Sequence, residues 1–138
     1  MTAIPLPAAG HAVAEQLGRW IAGTEARALP DEAVATARRL LLDVAGLCVA
    51  GRHEDYIAAT LAATDGTGAC TALGHARPLT AFDAALVNGT AAHGEDYDDT
   101  FEGGPVHSGA VIVPAVLAAC ERERLGRRGR CCAASPWG

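Results

Sequence analysis

The chain has 138 residues and a mass of 14.1 kDa, with 50% apolar residues, 20% charged residues and a net charge of −5. That balance fits one domain at most, with a modest buried core, and excludes wholesale disorder. No apolar run reaches the ~20 residues of a membrane-spanning helix, and Met1-Thr2-Ala3-Ile4-Pro5-Leu6-Pro7 lacks the basic and apolar regions of a secretory signal.

Five cysteines, an odd number without zinc-ribbon spacing, fit reduced thiols in a cytoplasmic protein better than a disulfide framework. All eleven basic residues are arginine, so chemistry that needs a lysine must come from outside this sequence. Residues 1–121 hold fifteen acids against six arginines, which disfavours nonspecific nucleic-acid binding. Residues 122–138 hold five arginines and one acid.

The predicted elements are helices. The first runs from about Ala9 to Ala22, with Val13, Leu17, Trp20 and Ile21 on one stripe. Pro30, Asp31 and Glu32 open the second, since proline suits a first turn and acids favour its positive end. There Val34, Ala37, Leu41, Val44 and Cys48 recur at alternating spacings of three and four, and Gly51 closes the helix. A shorter helix is expected from Glu54 to Ala63, then an extended stretch near Ala69 to Leu73. Thr80 and Asp83 form a capping-box pattern at the start of a helix whose alanines let another backbone come close. A last helix begins near Ser108 or Pro114, with Pro114 in its first turn or kinking it. The fold class is therefore all-α, a partial helical bundle.

One stretch is chemically dense, His93 through His107. Three readings compete there. The first is a solvated acidic helix end followed by a Gly-Pro loop. The second is a divalent-metal site in which His93 and Asp96 share a helical face and Asp98 and Asp99 add oxygen ligands. The third is acid/base work on a carboxylate substrate, because an imidazole beside carboxylates titrates near neutrality. In that reading His107 stands before a helix start whose free N–H groups attract an anion.

The run Ala85-Leu86-Val87-Asn88-Gly89-Thr90-Ala91-Ala92-His93-Gly94-Glu95-Asp96-Tyr97-Asp98-Asp99-Thr100, with His107-Ser108-Gly109 and Val113-Pro114-Ala115, resembles the MmgE/PrpD family. Leu41-Leu42-Asp43-Val44-Ala45-Gly46-Leu47 resembles that family's second helix. The likeness spans roughly residues 9 to 126. It implies a lyase acting on small polycarboxylates, as in 2-methylcitrate dehydratase and cis-aconitate decarboxylase. It further implies a large helical domain with a smaller lid domain, a homodimer, and no metal or organic cofactor. By resemblance the catalytic candidates are His107 and Asp96. Thr100, His93 and Asp99 are the substrate-binding candidates. The loop Phe101 to Val106 departs from the family pattern.

The family's substrates carry two or three carboxylates, yet this segment is acidic. Like charges 4 Å apart repel by about 4 kcal/mol at an effective dielectric near 20, so cationic groups must offset them. The resemblance places further histidine and lysines downstream of this sequence.

The sequence therefore divides into residues 1–126, the front of an MmgE/PrpD-like helical domain, and 127–138, an unrelated basic tail without periodicity. A frameshift near codon 126 accounts for such a tail, and a chain shortened there is expected to be inactive alone. The alternative function is a non-enzymatic helical interaction module. His11, His53 and His75 read as surface residues, and Cys48, Cys70 and Cys120 as small thiols in apolar runs.

Overall fold

The computed structural model describes residues 12–124, which form an all-α partial bundle. In chain order the helices are α1 (Val13–Gly23), α2 (Asp31–Ala50), α3 (Asp55–Ala62), α4 (Ala81–His93) and α5 (Ser108–Arg122). Ala9 to His11 and the tail 127–138, with Cys131 and Cys132, lie outside the described residues.

Local chemistry sets these limits. Asp31 and Glu32 occupy the first turn of α2, and the N–H of Gly51 bonds to the Leu47 carbonyl at its end. The chain then continues through a 3₁₀ turn, Gly51–His53, directly into α3. Thr80 caps α4: its hydroxyl oxygen accepts the Asp83 N–H at 3.1 Å and its O–H donates to Asp83 Oδ2 at 2.8 Å. The expected extended stretch shrinks to one antiparallel bridge between Cys70 and Leu79, with N–H···O distances of 3.0 and 2.9 Å.

The core lies between α4 and α5, closed by the C-terminal half of α2 and by α3. Ala84, Val87, Ala91 and Ala92 of α4 face Ala110, Val113 and Ala118 of α5, while Val44, Cys48 and Ile57 fill the remaining side. Small side chains let the two helix backbones approach, as the alanine run predicts. Pro114 is buried inside α5, past its first turn. It has no N–H for the Ala110 carbonyl, and Gly89 of α4 packs there, where a Cβ would sit 3.1 Å from that oxygen.

Asn88 binds the long α3–α4 connection to this core. Its Oδ1 accepts the Leu73 N–H at 2.8 Å, and its Nδ2 donates to the Thr71 carbonyl at 2.9 Å. From α2 the Cys48 thiol donates to the Asn88 carbonyl at 3.2 Å. Burial pushes that thiol up to about 11, so it stays protonated and inert. Cys48 and Cys70 are free and buried, whereas Cys120 is disulfide-bonded, a departure from the all-thiol expectation.

α1 behaves differently from the rest. Among the described residues it packs against no other helix, and Val13, Leu17, Trp20 and Ile21 are all more than half exposed. The amphipathic stripe is present, but the face that would bury it is not among these residues. Leu42 of α2 is likewise 76% exposed.

Candidate functional site

The chemically dense stretch joins α4 to α5, so the packing of those helices brings its two ends together. α4 stops at His93, and Gly94 turns the chain under the Tyr56 ring of α3, where any Cβ would overlap the ring. The Tyr56 hydroxyl donates to Glu95 Oε1 at 3.1 Å, which fixes the turn. Asp96 follows with φ of 57°, a left-handed conformation that aspartate tolerates better than most residues. That reversal folds Asp98 back beneath His93.

Asp98 is the centre of the site, and its side chain is completely buried. The ring nitrogen Nδ1 of His93 lies 3.0 and 3.2 Å from its two oxygens. His107, at the N-terminal boundary of α5, places its own Nδ1 3.3 Å from Asp98 Oδ1 and its Nε2 3.8 Å from Asp96 Oδ1. The imidazole centroids are 4.8 Å apart and tilted by 60°. His107 Nδ1 is buried and has no hydrogen-bond partner, because its alignment with Asp98 is poor.

The five sequence candidates are thus placed differently from one another. His107, Asp96 and His93 converge on one point. Asp99 turns away: its Oδ1 accepts the Gly109 N–H at 2.8 Å and its Oδ2 accepts the Ser108 hydroxyl at 2.9 Å. The Gly109 N–H at the expected anion-docking point is therefore already taken within the protein. The protein's own carboxylate fills it. Thr100 is exposed on the following loop.

Asp98, which the sequence offered only as an oxygen ligand in the metal reading, is absent from the catalytic and substrate-binding candidates. The alternation of acids in Asp96-Tyr97-Asp98-Asp99 could not reveal which one points inward; the left-handed turn at Asp96 decides it. His75, read as a surface residue, is half-buried with a buried Nε2.

The hydrogen bond to Asp98, aided by that carboxylate's charge, raises the pKa of His93 above its ordinary value. Such a group stabilises the fold fully below the unfolded-state value near 6.5 and loses that contribution as pH rises through the raised folded value. Urea denaturation in chelator-containing buffer is therefore expected to show stability falling as pH increases above about 6.5. His93→Gln should flatten that slope. Because His93 is about half exposed, the effect is modest.

His93, Asp96, Asp98 and His107 also present one ligand atom each within 4.8 Å of one another, a set able to hold a metal ion. A groove of about 850 Å³ opens at the far end of the α4–α5 pair, lined by residues including Thr67, Cys70, Thr80, Glu121 and Arg122. It lies about 18 Å of helix away from His93 and contains no imidazole. Among the described residues no helix is long and apolar enough to cross a membrane.

A family model for the MmgE/PrpD N-terminal domain matches residues 15–130. A cis-aconitate decarboxylase-like protein, oryM, of Aspergillus oryzae is 29% identical over 119 residues, covering 84% of this chain and 25% of that protein. Cis-aconitate decarboxylase of Aspergillus terreus is 29% identical over 113 residues, covering 79% of this chain and 23% of the relative. The chain spans about a quarter of the length of these curated relatives. No solved structure matches. With the family match running through both α4 and α5, which carry the two imidazoles, the chain belongs to the MmgE/PrpD family.

Proposed function

We propose that this chain forms one wall of the active site of a cytoplasmic lyase for small polycarboxylates, of the cis-aconitate or 2-methylcitrate class. The observation that carries the reading is the pair of imidazoles gathered on the buried Asp98. The Asp98 carboxylate holds His93 by Nδ1, orients that ring and favours its protonated form, leaving its other nitrogen for substrate. His107 Nε2 faces Asp96, so these two residues hold or move the proton at the reacting carbon. His93 supplies positive charge toward a substrate carboxylate, and Thr100 donates a hydrogen bond. Asp99 acts at one remove by fixing the helix start that carries His107.

The remaining cationic groups and the second wall belong to residues beyond this sequence, within a homodimeric enzyme needing no metal or organic cofactor for catalysis. Residues 1–126 are the helical-domain portion and 127–138 a basic tail, into which the family match reaches by four residues. Purified alone, the chain is expected to turn over neither cis-aconitate nor 2-methylcitrate. In a full-length family member, His107→Ala at the matching position should lower kcat by roughly 10²–10⁴-fold without changing the melting temperature. Robust turnover by this chain, or an unaffected kcat in that variant, would remove His107 from the chemistry.

The exposed apolar stripe of α1 favours a second reading, a helical interaction module without catalysis. Under that reading the His107 variant leaves all activities of the full-length protein intact.

A further inference from the structure

We propose that His93, Asp96, Asp98 and His107 bind one divalent transition-metal ion of the zinc class. The inference rests on the cluster's geometry and not on the lyase reading, and it concerns binding, not a catalytic role.

Four observations support it. First, the donor set is two imidazoles and two carboxylates, the mixed nitrogen and oxygen set that such ions accept. Second, the spacing is close to what coordination needs. A tetrahedral ion with bonds of about 2.0–2.2 Å holds its ligand atoms roughly 3.3–3.6 Å apart. His93 Nδ1 and His107 Nδ1 lie 3.0 and 3.3 Å from Asp98 Oδ1, and all four ligand atoms fall within 4.8 Å. His93 and Asp96 are 53% and 77% exposed, so both can close the remaining gap, and the ion has an open path.

Third, His107 Nδ1 is a buried ring nitrogen with no hydrogen-bond partner, directed at the cluster. Burying such an atom costs free energy unless something satisfies it, and a bound ion would do so. Fourth, the charge is unbalanced. Asp98 is wholly buried and Asp96 stands on the opposite side of His107, with no arginine among the described residues paired to either. The two carboxylates flank the His107 ring, and a dication between these groups offsets their charges. A proton on His93 cancels one, so metal and proton compete, as they do at histidine sites generally.

The whole chain, freed of metal by chelator and dialysis, would be titrated calorimetrically with zinc chloride at neutral pH. One ion per chain is expected, together with a rise in melting temperature. Cobalt(II) in its place should give the visible absorption of a low-symmetry four-coordinate ion, with histidine and carboxylate ligands and no thiolate charge-transfer band. His93→Gln and Asp98→Asn should each weaken binding at least about tenfold. His93 is exposed, so its variant keeps the test decisive even where Asp98→Asn fails to fold. Absence of saturable binding overturns the proposal. So does binding that His93→Gln leaves unchanged, or a cobalt spectrum dominated by thiolate, since both would place the ion on cysteines elsewhere. A negative result leaves the His107 kinetic test untouched, and a failed kinetic test leaves the metal titration untouched.

Discussion

Asn88→Ala is expected to destabilise the fold by about 2–4 kcal/mol in equilibrium urea unfolding. The residue is 2% exposed, and both ends of its amide are engaged by backbone groups of the 71–73 segment. Truncation leaves the Leu73 N–H and the Thr71 carbonyl without those partners, and each lost bond to a poorly hydrated group costs more than an ordinary surface bond. The alternative explanation is simple loss of packing volume. Two further substitutions separate the two causes. Asn88→Leu restores volume and should not restore stability. Asn88→Asp keeps the acceptor for Leu73 but sets a carboxylate against the Thr71 carbonyl, so its stability should recover as acid protonates it and supplies a donor again. If Asn88→Leu matches the parent, the amide's hydrogen bonds do not anchor the connection.

The same residue shows how far the sequence could be read. Helical spacing aligns Asn88 with Ala84 and Ala92, four residues to either side, because that spacing depends only on local geometry. Its partners lie fifteen and seventeen residues earlier in an irregular segment, and no local pattern encodes such a pairing. The start of α4 at Thr80 and Asp83 was legible for the opposite reason: donor and acceptor are three residues apart. The reach of α2 was also legible, but the burial of its apolar face was not. Val44 and Cys48 are covered while Leu41 is 42% exposed, since burial depends on where α4 and α5 happen to lie. At the site, the candidates His93, Asp96, Asp99, Thr100 and His107 followed from resemblance. Which acid points inward did not, because a single left-handed residue reverses the chain between Asp96 and Asp98.

Gly109→Ala is expected to cost about 2–3 kcal/mol, a charged hydrogen bond together with a helix cap. A Cβ at position 109 would overlap Asp99 Oδ1, the atom that accepts the Gly109 N–H. The substitution therefore acts by expelling a carboxylate, although alanine is intrinsically the better helix former. Asp99→Ala removes the same carboxylate directly and should cost a similar amount. Because both changes destroy one interaction, the double variant should be scarcely less stable than either single one, giving a large coupling term in the cycle. Asp99→Asn, which retains an oxygen for the Gly109 N–H, should lose much less. Additive losses would show that Gly109 and Asp99 matter separately and that the cap does not set the start of α5. His107 immediately precedes that start, so a displaced cap also moves an imidazole away from Asp98. In a full-length family member, the cap variants should therefore lower kcat even though neither residue touches the reacting atoms, and Asp99→Asn should recover most of it.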